Sequence, residues 1–323
     1  THIFIDEYQD CGEIQHEIFL LLVKNGLKGI AVGDINQAIY GFSDRFPKYL
    51  ISLIGKDNFK HIELNKNHRC HPSISEYSLC LFGASKIVHE EKRVFKVSII
   101  GDEKNIAEKI DQNLSAIKKK YGVQHNNRVA ILCRNNGVVH LLDSVLKTPH
   151  KTFSETPLDR DNSEWGRFFR ETISARFDED TFAVDYAEQL FSEELEPIKY
   201  HKALNLCHKI FSCRQEDISS SAPDIIALAQ LVYPKKKNKP AVAVLNQILA
   251  DNTLWGSYTP AMENEVNLMT LHKSKGLEFN IVFHMDLYKW ILPNEYGDET
   301  SQIQDLNLHY VGTVSYTHLT LPT

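Results

Sequence analysis

The sequence has no C-x-x-C pair. Its six cysteines (Cys11, Cys70, Cys80, Cys133, Cys207 and Cys213) are scattered, which excludes a zinc ribbon and gives no disulfide framework. They read as reduced, mostly core residues. No apolar run approaches the roughly 20 residues needed to span a bilayer, and the N-terminus has no basic start followed by an apolar stretch, so no signal peptide is indicated. The expected compartment is the cytoplasm, with no membrane partner. There is no excess of positive charge: the net charge is -6 at pH 7, so any nucleic-acid contact would need a local basic groove. Fixed-period repeats and long low-complexity tracts are absent as well.

What is present alternates strand and helix. An apolar run, Ile3 to Ile5, drives into Asp6 and Glu7 as a buried strand ends at a ligand-facing edge. An apolar helix follows from Ile14 to Val23, then a strand Lys28 to Val32 ending in Gly33-Asp34. A further strand is expected at 60–64, ending in "LNKNHRCHPSI", where Pro72 suits the first turn of a helix to about Phe82. A second α/β unit starts with "VFKVSII", continues through the amphipathic "NIAEKIDQNLSAIKKK" and reaches "VAILCR" at 129–134. From 155 to 262 helical periodicity replaces the strand pattern, and strands return at "VNLMTLH" and "NIVFHMDL". This is the grammar of parallel sheets covered by helices.

Four segments carry chemistry. "IFIDEYQD" offers one acid for a hydrated Mg²⁺ and a neighbour to polarise water, although an acidic helix cap reads equally well from those residues alone. "GDINQAIYGFSD" adds an amide, Gln37, and two aromatics, Tyr40 and Phe42, spaced for stacking or for the core. "LNKNHRCHP" supplies Arg69, suited to bidentate phosphate contact. "VNLMTLHKSKGLEF" ends a strand in Thr270, His272, Lys275 and Gly276, followed by Glu278. Two lysine runs read more simply: "PKKKNKP" at 234–240 as a solvated loop or a duplex-phosphate contact, and "KKK" at 118–120 as cations closing a helix.

In this order the four segments resemble the motifs of the UvrD/Rep family of superfamily 1 DNA helicases. "DEYQD", "GDINQAIYGF", "NHRC" and "TLHKSKGLEF" match that family's second to fifth motifs. The resemblance spans about residues 3–313. It implies two RecA-like parallel-sheet domains of the P-loop NTPase type, the first truncated and the second interrupted by a helical insertion. The boundaries expected on this basis are 1–87 for the first domain, 88–154 and 263–313 for the second, and 155–262 for the insertion.

The implied site is specific. Asp6 would reach Mg²⁺ and Glu7 would be the catalytic base, with Gln9 and Asp10 tying the site to the DNA-binding segments. Gln37 would sense the γ-phosphate of ATP, Arg69 would reach it across a cleft, and His68, Gly276 and Glu278 would lie against the nucleotide. Tyr40, Phe42, Thr270, His272 and Lys275 would contact single-stranded DNA. The implied activity is ATP-dependent 3'-to-5' movement on single strands and at junctions with duplex, in repair, recombination or phage defence. The short insertion hints at Gabija-type relatives. An alternative is a DNA-stimulated ATPase switch acting on a partner nuclease.

The sequence also departs from that pattern. His68 stands where the family has Tyr, and Ser43 and Asp44 replace Arg and Gly. No G-x-x-x-x-G-K-[ST] loop occurs in the sequence, and "LNLHYVGT" resembles the sixth motif but continues as "VSYTHLTLPT". That decapeptide resembles a translated sequencing adapter, so residues 314–323 are expected to lie outside the native fold. The chain itself is expected to be an interior piece with little ATPase activity of its own.

Overall fold

The structure, a computed structural model, describes residues 2–39, 47–64, 67–84, 89–287, 294, 296–314 and 319–322. The elements in chain order are β1 (His2–Ile5), α1 (Glu13–Lys24), β2 (Lys28–Ala31), α2 (Lys48–Leu53), α3 (Pro72–Cys80), β3 (Val94–Val97), α4 (Glu103–Tyr121), β4 (Val129–Cys133), α5 (Asn136–Val145) and β5 (His150–Thr152). Then come α6 (Pro157–Arg160), α7 (Glu164–Phe177), α8 (Ala183–Leu190), α9 (Pro197–Ser212), α10 (Ala222–Val232), α11 (Lys239–Ala250), α12 (Asn252–Gly256), β6 (Val266–Thr270), β7 (Ile281–His284), α13 (Glu299–Val314) and β8 (Leu319–Pro322). The chain divides into two compact units, 1–150 with 263–323, and 151–262.

The first unit holds two parallel sheets. β1 and β2 pair in parallel, Ile5 opposite Ala31, and the ladder continues as Val32 donates to the Ile5 carbonyl and Tyr8 to the Val32 carbonyl. The strand ends at Asp6 and Gly33 therefore lie side by side. Beneath them Tyr8, Cys11, Phe19 and Leu53 form a small core. In the second sheet β3, β8, β7, β4 and β6 lie in that order, every pair parallel. β4, β6 and β7 are buried throughout, as parallel strands covered on both faces must be. α4 and α5 pack apolar stripes (Ile106, Ile110 and Leu114; Val138, Val139 and Leu142) on Val129, Ile131, Leu268 and Phe283. The mixed α/β architecture with parallel sheets agrees with the RecA-like class expected from the sequence.

Two local expectations need correction. Residues 60–64 form no strand: Ile62 and Leu64 are exposed, and no neighbouring strand among the described residues offers a ladder. β1 is also less buried than its apolar run suggests, with Phe4 69% exposed, because the first sheet has only two strands among the described residues and one face stays open. The backbone of 319–322, within the decapeptide expected to lie outside the native fold, runs as β8 between β3 and β7.

The second unit is helical. Trp165, Phe169, Ile173, Tyr186, Ile210, Leu228 and Leu245 are among the side chains of one continuous core drawn from α7 to α11. The lysine run at 234–240 is exposed, with Lys236 paired to Glu164 and Asn238 capping α11, which fits a solvated connection.

Candidate nucleotide and DNA site

The acid pair at the end of β1 is held under strain. Glu7 has φ 51°, in the left-handed region that non-glycine residues rarely adopt, at a cost of about 1–3 kcal/mol. The Glu7 N–H donates to Asp6 Oδ1 at 2.8 Å, and Gln9 Nε2 donates to Glu7 Oε2 at 2.7 Å. The buried Gln9 side chain faces both ways: its Oε1 accepts from the Asp34 N–H at 3.0 Å. Gly33 makes that possible, since a Cβ there would lie 2.4 Å from Gln9 Oε1 and 3.1 Å from the Tyr8 nitrogen.

Asp34 is the second node. Its Oδ1 caps the short 3₁₀ turn Ile35–Gln37 through the Asn36 N–H, and its Oδ2 accepts from Gln37 Nε2 at 3.1 Å and from the Tyr310 hydroxyl at 2.9 Å. Burial, reinforced by the Asp34 charge, raises the Tyr310 pKa, so the phenol stays a protonated donor. On the same helix Asn307 donates to the Ala38 carbonyl at 3.0 Å.

Lys275 closes the circuit. It lies beyond β6, just before Gly276, whose φ of 84° turns the chain. Lys275 Nζ donates to Asp10 Oδ2 at 2.5 Å and to the Gln37 carbonyl at 3.2 Å, and stands 3.3 Å from Glu7 Oε2. Glu7, Gln9, Asp34, Gln37 and Lys275 thus form a closed ring of polar contacts joining the ends of β1 and β2 to the turn after β6. Nearby in sequence, Arg69 Nη2 pairs with Glu278 Oε1 at 2.6 Å, both side chains substantially exposed. The Asn67 side chain accepts from the N–H groups of Arg69 and Cys70, fixing the turn that presents the guanidinium.

The other sequence candidates are placed separately. Thr270 is buried at the end of β6, where its carbonyl accepts from the Lys273 and Ser274 N–H groups; His272 is half-buried, and His68 is exposed. Tyr40 and Phe42 lie outside the described residues. Asp34, read only as the end of a strand, and Asn307 and Tyr310, not singled out at all, join the site; the signal was Tyr310 in "LNLHYVGT", a segment read only for its missing arginine.

For a divalent cation the donor set is limited and specific. Asp6 is exposed at a strand end, and no cluster of three or more His, Cys, Asp or Glu able to hold a metal occurs among the described residues. One or two carboxylate oxygens, with water and substrate phosphate completing the shell, are what Mg²⁺ ordinarily takes, so the residues fit a cation carried with a nucleotide rather than a resident one.

Fold and site together define a parallel-sheet α/β protein of RecA-like type, its acids and cations gathered at strand ends. Residues 1–53 match the family described as UvrD/REP helicase N-terminal domain, and residues 190–314 match the UvrD-like helicase C-terminal domain. These two domain models, met in chain order, place the chain in the UvrD/Rep-like helicase family. It is similar to a probable DNA helicase II homolog of Mycoplasma genitalium (23% identity; 96% of this chain, 52% of the relative). It is also similar to the ATP-dependent DNA helicase Rep of Buchnera aphidicola subsp. Acyrthosiphon pisum (22%; 97% and 61%) and to the Gabija protein GajB of Bacillus cereus (25%; 96% and 61%). The chain spans about half to three fifths of the length of these relatives. No helix among the described residues is long and apolar enough to cross a membrane.

Proposed function

We propose that a protein carrying this chain is an ATP-dependent DNA helicase or translocase moving 3'-to-5' on single-stranded DNA. The observation that carries the reading is the Lys275 contact with Glu7 and Asp10. A cation on the segment assigned to DNA is tied to the acid assigned to water activation, so occupancy at one would be felt at the other. In this reading Asp6 holds Mg²⁺, Glu7 takes the proton of the attacking water, and Gln37 and Arg69 read the γ-phosphate of ATP. Gly276 and Glu278 lie against the nucleotide, with His68 stacking on its base. Thr270, His272 and Lys275, with Tyr40 and Phe42, follow the single strand up to its junction with duplex. A closing and opening of the RecA-like pair with each ATP supplies the step.

One observation favours a narrower role. The GajB alignment needs only 321 residues to cover 96% of this chain, whereas the M. genitalium and Buchnera relatives need 373 and 403 for the same coverage. The shorter alignment at similar coverage means fewer gaps against GajB than against the other two relatives, which favours the Gabija-type reading. In that setting the ATPase would switch a partner nuclease in response to DNA, without processive unwinding. Strand displacement and ATP turnover on the gene product carrying this chain separate the two. Unwinding of a 3'-tailed duplex supports the helicase; DNA-stimulated turnover without unwinding on any tail supports the switch. Turnover indifferent to DNA would overturn both.

A further inference from the structure

A second basic cluster lies around β3, the edge strand of the second sheet. Lys92 Nζ sits 5.7 Å from the centre of the Phe95 ring and Lys120 Nζ 5.1 Å from the same ring. Lys120 is also 5.2 Å from the centre of the Tyr121 ring, and the Arg93 guanidinium stands 5.0 Å from it. Two cations just before β3 and one at the end of α4 therefore converge on two half-buried rings, with the Arg93 side chain mostly buried and paired to Glu91. Lys92, Lys119 and Lys120 are exposed. Glu91 pairs with both Arg93 and His71.

Helix-end lysines complement the macrodipole, but that does not explain why Lys120 is drawn over two aromatic faces beside Lys92 and Arg93. Gathering Lys92 and Lys120 over one ring is unfavourable, and exposed cation–π contacts return only about 0.5–1 kcal/mol each. In a chain of net charge -6 this concentration calls for an anionic partner. The ring faces are already occupied by cations, so the patch offers no platform for unpaired bases, which bind by stacking. It offers outward charge held in place by the rings, which suits the closely spaced phosphates of a duplex.

We infer that Lys92 and Lys120, ordered on Phe95 and Tyr121, form a contact for the phosphate backbone of duplex DNA, apart from the Lys275 site. This rests on the reading that the chain acts on DNA. The test is fluorescence anisotropy on the full chain without nucleotide, comparing a blunt 18-base-pair duplex with an 18-nucleotide oligo(dT). Lys92→Ala/Lys120→Ala should weaken duplex binding about tenfold and reduce its log K against log salt slope by about 1.8, two contacts' worth. Oligo(dT) binding should change less than twofold, and Lys92→Arg/Lys120→Arg should retain the duplex affinity. An unchanged duplex affinity or slope, or an equal loss on both probes, overturns the inference while leaving the DNA reading intact. A parent chain that binds neither probe overturns both.

Discussion

Arg69 and Glu278 are paired at 2.6 Å although both side chains stay largely open to water, at 47% and 71% exposure. An exposed pair of this kind contributes at most about 1 kcal/mol, so its value is positional: it parks a guanidinium beside a carboxylate that the family resemblance assigns to the nucleotide. Arg69→Ala should leave the urea midpoint of the chain nearly unchanged. In the gene product carrying this chain it should lower ATP turnover at least about 1,000-fold, the modest end of what phosphate-reading arginines contribute. The exchange Arg69→Glu/Glu278→Arg restores the pair without the function. Recovery of turnover by that exchange would show that pairing, not phosphate contact, is the role of Arg69.

The Lys275 to Asp10 contact differs because it is mostly buried, with side-chain exposures of 12% and 15%. Removing one partner strands the other in a poorly solvated place, which costs more than the pair itself contributes. Lys275→Met and Asp10→Asn should each destabilise by about 1–3 kcal/mol, and the double variant by clearly less than their sum. Urea unfolding of the four forms measures the coupling. Strict additivity would mean the contact is not formed in solution.

Much of this was legible in the sequence because strand-then-acid patterns have a local cause. Apolar runs at Ile3 to Ile5 and Val266 to Met269 had to be strands, so Asp6 and Thr270 had to fall at their ends. The stretch at 60–64 misled for a related reason: its apolar residues suggest a strand, but a strand needs a ladder partner, and Ile62 and Leu64 have none among the described residues. The ring of contacts through Gln9, Asp34, Gln37 and Tyr310 could not be read locally. It depends on the parallel register of β1 and β2 and on α13 packing near Asp34, neither of which periodicity reports. Resemblance named Glu7 and Lys275 one by one; only the fold puts them 3.3 Å apart.

Gly33 is required by a close approach rather than by its backbone angle. The missing Cβ leaves room for Gln9 Oε1, which the Asp34 N–H needs as its acceptor. Gly33→Ala must push Gln9 away, breaking its bonds to Glu7 and Asp34 together. The expected cost is about 1–3 kcal/mol from overpacking, with ATP turnover falling at least tenfold as Glu7 loses the amide that orients it. Gln9→Ala should reproduce the kinetic loss, and adding Gly33→Ala to it should cost little more. A Gly33→Ala protein with normal turnover would remove Gln9 from the site.

Two histidines deep in the second sheet set the response to acid. His284 on β7 and His309 on α13 lie with ring centres 4.9 Å apart and planes tilted by 59°; His284 Nδ1 meets the Met285 carbonyl and His309 Nε2 the Tyr77 hydroxyl. Burial pushes His284 down to about 4, and burial together with the neighbouring His284 and Lys96 holds His309 well below the ordinary range. Both rings are therefore neutral when folded and become protonated near pH 6.5 when unfolded. The unfolded chain then binds more protons, so stability is full above about pH 6.5 and falls as the pH drops toward 4. For His284 alone the loss between pH 7.5 and 5 is about 2 kcal/mol. Urea midpoints should fall over that interval and fall much less in His284→Gln/His309→Gln. Some slope should remain, because burial also lowers the pKa of His16. An unchanged slope in the double variant would place the acid sensitivity elsewhere.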